Sequence, residues 1–514
     1  MLHSKIRFCL IAGLALLFNV IFWQEKLGLN LFIFNALLVL AMCISNPTGL
    51  RDRFVQITLS GVMTSAMMIL ISNSLVSTIA YWVSFILLVG FWHETALRSV
   101  FFALAYSLWT AVKTAEKWLA FPVEVLPNLT HQNKKMIALY RWSRLTVVPL
   151  IALGIFYLLF KAGNPVFDEF TQHFEIWLER WVDSLFDQIL PARVVFFFIG
   201  LFLVNWVLVW RFLPAIAEGE NKYIDRIFRK RNNYKLLKVK LNTLALRYEY
   251  RIGLMLMILV NVLLLVVNAI DIRWLWFGFD PAEVKSFKLM VHEGTFGLII
   301  SILLSMGIML HYFRNNLNFY PRNYALKSIA YLWLIQNTIL VISVGLRVAY
   351  YIQAQGLAYK RIGVLIFLAL ALFGLWTLYC KISSEKSAYY LFRTNGWAVY
   401  GMLILMNLVD WDMLIIRYNL QHYARKGTIG TVIFTVSQLA DKALPIIHQH
   451  STTYNHQGEK VKGVWYESQR RLFEKRVENY IKRQKGYSWL SWNYVDARSN
   501  AYWKGHYSPK LPRK

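Results

Sequence analysis

The sequence is short of charge where a soluble protein needs it. Charged residues make up 16% of the 514, against 57% hydrophobic types, where soluble domains carry roughly 25% and 45–50%. A chain this apolar cannot cover a globule with polar surface. That excludes a soluble enzyme, a disordered chain and a nucleic-acid-binding domain as the main body. Cysteine is scarce. Cys9, Cys43 and Cys380 fall in or at the end of apolar runs and lack paired spacing, which excludes a disulfide framework or a zinc site. Acidic residues are few, 28 against 56 Lys and Arg, leaving a net charge of +28. The excess is read as loop charge that sets membrane orientation and meets anionic headgroups. The partners expected are therefore the lipid bilayer and its headgroups, with no nucleic acid.

Catalytic patterns are also missing. His93-Glu94 and His292-Glu293 lack the second His of a zinc protease. There is no P-loop, dinucleotide fingerprint, kinase set or Gly-x-Ser-x-Gly. The first outer loop, 24–28, holds one carboxylate, Glu25, where a membrane glycosyltransferase wants a pair. No catalytic residue, cofactor or metal is assigned. His448, His450 and His456 lie on a polar, Thr/Gln-rich stretch and are read as a solvated loop. The apolar runs hold amides (Asn19, Asn35, Asn205, Asn261, Gln336, Asn337) rather than Asp, Glu or Lys. Amides bond across helices, whereas ion-coupled carriers need a titrating group mid-membrane.

What is abundant is long apolar sequence. About 20 apolar residues cross roughly 30 Å of hydrocarbon. Candidates are 6–23, 29–44, 54–72, 75–92, 145–160, 194–213, 252–270, 294–313, 325–346, 362–380 and 397–409. In lipid such continuous runs are helices. The expected fold is all-α: a polytopic transmembrane helical bundle of about eleven spans. The first run has a basic start but no small-x-small cleavage site, and is expected to be a retained span. The run 97–112 leads into Lys113, Glu116 and Lys117 and is expected to be a tilted, half-inserted helix. Across 168–190 aromatic and aliphatic residues recur at helical spacing opposite acids, an amphipathic interfacial helix. From Trp411 the chain turns polar, with two apolar stripes, and predicts a helical C-terminal tail domain.

Loop charge orients the bundle. Residues 211–251 hold eleven Lys/Arg against four acids and are expected inside; 161–191 hold two against six and are expected outside. The organisation expected is N-terminal hairpins over 1–92, a basic cytoplasmic segment over 93–144 and a transmembrane pair with the amphipathic helix over 145–213. A basic cytoplasmic loop over 214–250, a C-terminal bundle over 251–410 and the tail over 411–514 complete it. Charge favours an inner tail, with eighteen Lys/Arg against seven acids; span parity favours an outer one. The outer side is preferred, because long segments translocate largely regardless of charge. The last run, 397–409, is long enough only if its helix starts near Tyr389 and Arg393 snorkels to the cytoplasmic headgroups.

Arg347, Tyr351, Gly356, Leu357 and Arg361 read as R-x3-Y-x4-G-L-x3-R across the junction of two runs. Val291-His292-Glu293-Gly294 precedes a run, Asn407, Asp410, Arg417 and Asn419 follow the last, and Gly163-Asn164-Pro165-Val166-Phe167 ends another. These stretches resemble the bacterial multi-pass membrane family catalogued as a domain of unknown function, number 4173, and its sister 4153. The resemblance covers most of the chain, from the first hairpin to Leu420. Ala358 stands where the family carries Thr. It implies a shared fold and no particular activity. Span counting puts all four clusters on the outer face, in a bacterial cytoplasmic (inner) membrane. Glu293, Arg347, Tyr351, Arg361, Asp410, Arg417 and Asn419 are the candidate charged site, with Arg347 expected to make a forked pair with a carboxylate such as Glu293 or Asp410. The function expected is a non-enzymatic transporter-like or envelope scaffold bundle. The alternative is a membrane-embedded enzyme acting on a lipid-linked substrate.

Overall fold

The computed structural model describes residues 2–46, 49–125, 192–210, 213–228, 243–278, 287–320, 323–426, 441–449 and 464–506, with scattered positions between 149 and 180. Among these residues the structure is all helical and without strands; a single isolated bridge pairs Arg226 with Lys386. The helices are α1 (Leu2–Phe22), α2 (Leu29–Ser45), α3 (Arg53–Ile71), α4 (Leu75–His93), α5 (Val100–Val125), α6 (Ala192–Leu208) and α7 (Pro214–Asn221). They continue as α8 (Thr243–Asp271), α9 (Phe287–Tyr312), α10 (Asn323–Gln355), α11 (Tyr359–Ser383), α12 (Ala388–Asn407), α13 (Trp411–Lys426), α14 (Val464–Lys485) and α15 (Tyr494–His506).

Ten of the eleven expected runs coincide with helices, and 145–160 falls largely outside the described residues. Among the described residues, five helices are long and apolar enough to cross a membrane: α3, α4, α8 with its extension to Trp276, α10 and α11. The pair α12–α13, bent by 61°, makes a sixth if it counts as one span. Four more apolar stretches (Ile6–Phe22, Leu29–Ser45, Ala192–Leu208 and Gly297–Tyr312) are shorter. A 17-residue helix such as α2 rises about 25 Å, less than the roughly 30 Å of hydrocarbon. Length and composition alone therefore qualify five or six crossings.

The chain forms two compact units. Unit 1 comprises Met1–Arg98, Phe102–Glu218 and Lys482–Asn500. Its α3–α4 hairpin is set by caps at both starts. Asp52 accepts from the Phe54 and Val55 amides (2.8 and 3.1 Å), and Ser74 from that of Ser77 (3.1 Å). α5 runs on as one helix through Lys113 and Glu116, with Ala103, Tyr106, Ser107, Thr110 and Thr114 buried along one face. Trp206 of α6 donates to the Ser107 carbonyl and the Thr110 hydroxyl (both 3.1 Å). In the stretch read as an amphipathic helix, the described residues are helical; Phe170, Phe174 and Trp177 are exposed, and Glu175 accepts from Tyr157 and Lys161 (both 2.5 Å).

Unit 2 comprises Ser99–Phe101, Gly219–Ile481 and Ala501–Lys514. Its centre is the contact of α8 with α10. Asn261 Nδ2 donates to the Ile329 carbonyl (3.3 Å) and Asn268 Nδ2 to that of Gln336 (3.0 Å). Trp276 Nε1 donates to Ser343 Oγ (3.0 Å). Partner numbers rise together on both helices, so α8 and α10 run parallel. Ile329, Gln336 and Ser343 recur at sevens, the repeat of a left-handed helix seam. Gln336 also donates to Asn261 Oδ1 (2.8 Å). The buried amides expected as packing glue therefore bond across helices at Asn261 and Gln336.

Candidate functional site

The R-x3-Y-x4-G-L-x3-R stretch forms the end of α10, a tight turn and the start of α11. Gly356 ends α10 with φ of 78°, a left-handed conformation that glycine adopts without steric cost. Its amide still donates to the Ile352 carbonyl (2.8 Å). Arg361, one turn into α11, reaches back. Its guanidinium donates to the carbonyls of Gln355 (2.9 Å) and Gly356, satisfying the negative end of α10. It also lies 4.0 Å from the centre of the Tyr351 ring, a cation–π contact. Leu357 turns into an apolar cluster with Ile362 and Ile415.

α13 completes the turn. Buried Asn419 accepts from the Leu357 amide (2.6 Å) and donates to the Leu357 carbonyl (2.8 Å), mimicking a paired strand. Asp410 stands at the start of α13, where its carboxylate accepts from the Met413 amide (3.3 Å). It also pairs with Lys442 (2.8 Å), whose side chain is only 5% exposed. Lys442 pairs again with Asp412 (3.1 Å), and Asp412 accepts from the Tyr359 hydroxyl at the start of α11 (2.6 Å). Tyr351, Arg361, Asp410 and Asn419 thus meet around one turn. Asp412, Tyr359 and Lys442 join them unforeseen, Lys442 from a stretch that reads as part of a polar tail.

Arg347 lies deeper, two turns before Gly356, and pairs with Asp271; among the described residues it makes no ion pair with Asp410. Asp271 is 3% exposed and sits where α8 passes into the π-turn Ile272–Trp276, a wider winding that often marks functional positions. The contact is single and not forked: Nη2 meets Oδ1, while Arg347 Nε and Asp271 Oδ2 have no hydrogen-bond partner among the described residues. The missed signal is that Asp271 directly follows an apolar run and faces a parallel neighbour. Arg417 is exposed on α13. Glu293 falls within α9, but its side chain lies outside the described residues, as does most of 163–167.

The opposite ends of α11 and α12 are gripped by residues of the basic loop. The Ser387 amide donates to the Asp225 carbonyl (2.8 Å), Tyr389 donates to buried Glu220 (2.5 Å), and Arg393 pairs with Asp225 (2.8 Å). α12 begins at Ala388, beside the start its final run requires, and Arg393 meets a loop carboxylate at that end. The basic loop and the Asp410–Lys442 cluster therefore lie at opposite ends of α12.

Unit 1 carries its own charged contact. In the α1–α2 turn, Glu25 accepts from the Ser488 amide (3.1 and 3.2 Å) and the Ser491 hydroxyl. Lys26 pairs with Asp496 (2.6 Å), and the Leu29 amide donates to the Trp492 carbonyl (3.0 Å). A Cβ on Gly28 would stand 2.6 Å from that carbonyl oxygen, so only glycine admits this approach. Burial opposes the charge on Asp496, but the Lys26 ammonium and hydrogen bonds from Asn493 and Gln484 outweigh it. The carboxyl stays below its ordinary range. Glu25 is likewise opposed by burial and lowered by Ser488 and Ser491.

His448 does not sit in a solvated loop. It lies on the helical turn 444–449, accepts from or donates to the Tyr502 hydroxyl (2.7 Å) and packs on Trp503. Burial and the charge of His506 hold it below its ordinary value. The apolar side chains of Leu444, Val477, Tyr480 and Trp503 form one cluster there. His450 and His456 lie outside the described residues.

No curated protein and no solved structure matches the chain. A family model does, over residues 8–450: the domain of unknown function (DUF4153), one of the two sister families that the Gly-Leu turn and its flanking arginines resemble. The match takes in the α10–α11 turn, Asp410, Asn419 and Lys442 alike, and the chain belongs to the DUF4153 family.

Proposed function

We propose that this chain is a non-enzymatic multi-pass protein of a bacterial cytoplasmic membrane, an envelope scaffold whose outer-face charges hold its own tail. The observation that carries this reading is the closure of the charge set: Asn419 takes both backbone groups of Leu357, Lys442 joins Asp410 to Asp412, and Arg361 caps α10. A substrate site would leave such groups turned to a cavity. In this reading the chain crosses eleven times from an inner N-terminus. The parallel course of α8 and α10 supports α9 as a full crossing. The positive-inside rule puts the basic loop in the cytoplasm, which takes the far end of α12 and the tail outside. The basic loops then meet anionic headgroups.

A carrier is the second reading, favoured by the buried seam of α8 and α10. Asn268 Oδ1, Asp271 Oδ2, Gln336 Oε1 and Asn337 Oδ1 lack partners there among the described residues. Buried oxygens of this kind ordinarily bond to water or ligand. Lipidomics and metabolomics of a deletion strain separate the readings. Altered uptake or export of a solute would favour the carrier, accumulation of an unprocessed lipid-linked precursor the enzyme, and unchanged pools with weakened envelope integrity the scaffold. For sidedness, a single cysteine at Ser451 in a cysteine-free chain should react with an impermeant maleimide in intact spheroplasts. Reaction only after lysis would place the tail inside.

A further inference from the structure

Unit 1 holds a half-open apolar pocket of about 230 Å³ among α1, α2, α4 and α6. Its wall is mostly rings, including Phe18, Phe22, Phe34, Phe85 and Phe196. Phe18 stacks on Phe196 at 5.0 Å between centroids, and Phe22 meets Phe34 edge-on at 5.5 Å. Tyr81 also lines it, but its hydroxyl is taken by Asn35 (2.8 Å). Among the described lining residues Glu25 alone is charged, at the α1–α2 turn, and its carboxylate is bonded to Ser488 and Ser491. The tail segment therefore lies against the single charged end of an otherwise apolar space.

Three occupants compete. Water needs two to four polar partners, and this wall offers almost none along its length. A void forfeits dispersion contacts on every lining ring. Hydrocarbon suits the wall and surrounds it: α4 is a candidate span, and α1, α2 and α6 are apolar helices beside it. We propose that this pocket binds the terminal half of one acyl chain of a membrane phospholipid. The methyl end of the chain lies among the rings, entering from the lipid side, while Glu25 and residues 488–491 close the polar end of the pocket. A second copy or a peptide is disfavoured, since backbone amides would find no partners in the wall.

The test uses the full-length protein. Cells are fed a palmitate analogue bearing a diazirine and an alkyne, irradiated, and the purified protein is mapped by mass spectrometry. Adducts on Phe85 or Leu203 with a diacyl phospholipid mass are expected. Adducts confined to lipid-facing positions such as Leu75 and Ile79, which are 76% and 47% exposed, would overturn the proposal. So would internal adducts carrying only a free fatty acid. A cavity-filling Leu203→Trp variant that melts normally in detergent should lose the internal adducts and keep the peripheral ones. Internal labelling unchanged in that variant would also overturn it.

Discussion

Replacing Arg347 by Leu strips the counter-charge from a carboxylate that is 5% exposed, in a pair whose arginine is itself only 15% exposed. Removing one partner of a buried pair costs about 3–5 kcal/mol. On a cooperative unit of roughly 250 residues, where 1 kcal/mol moves the midpoint about 2 °C, that is a fall of about 6–10 °C. The reverse change, Asp271→Leu, should cost less. A lone arginine near a helix end can extend its stem toward headgroups, while a lone aspartate has no such reach. The double Arg347→Leu/Asp271→Leu variant should regain most of the loss, because two apolar side chains replace the pair without leaving a charge behind. Arg347→Lys should be mild, because the native contact is single and a lysine keeps the charge. Tryptophan-fluorescence melting in detergent reads all four variants. An unchanged midpoint for Arg347→Leu, or a double variant no better than the worse single, would refute this reasoning.

Asn419→Ala leaves both backbone groups of Leu357 without their partner and should cost about 1–3 kcal/mol, read as a lower melting point with faster amide exchange at 355–358. Gly356→Ala should cost about 1–2 kcal/mol because the left-handed backbone is retained, and Gly356→Asn less; equal melting for Ala and Gly would contradict the cap. Asp496 and Glu25 have folded values below their ordinary 3.8 and 4.5. Their contribution is therefore complete above those values and lost as pH falls through them, and amide protection at 488–496 should fall in that window. His448 is held below its ordinary 6.5, so its contribution is present above that value and fades below it. Exchange around 444–449 should rise at milder acidity than at 488–496.

The helical fold was legible because lipid leaves the backbone few choices. The run 252–270 became α8 (Thr243–Asp271), and the required early start of the last run was met at Ala388. The Gly-Leu turn was legible as a cluster because its residues are close in sequence. The partner of Arg347 was not. Asp271 is 76 positions away, and choosing it over Asp410 requires knowing that α8 and α10 lie side by side. Lys442 was hidden for a related reason. Periodicity marks a stripe of Ile and Leu, whereas a lysine buried between two aspartates reads as surface until its partners are placed. The seam amides needed only the familiar habit of Asn and Gln in apolar helices.

The parallel arrangement of α8 and α10 bears on how the protein is made. Asp271 enters the bilayer with α8, and its counter-ion lies 76 residues further along the chain. At about 5–20 residues per second, the ribosome delivers Arg347 roughly 4–15 s later. During that interval α8 holds an uncompensated carboxylate near its exit end, where a mid-helix aspartate would cost about 2.5–3.5 kcal/mol on insertion. Its continuous apolar stretch is strong enough to carry that load alone. The pair can form only after α10 has been made and lies beside α8, so Asp271 stays without its counter-ion until then.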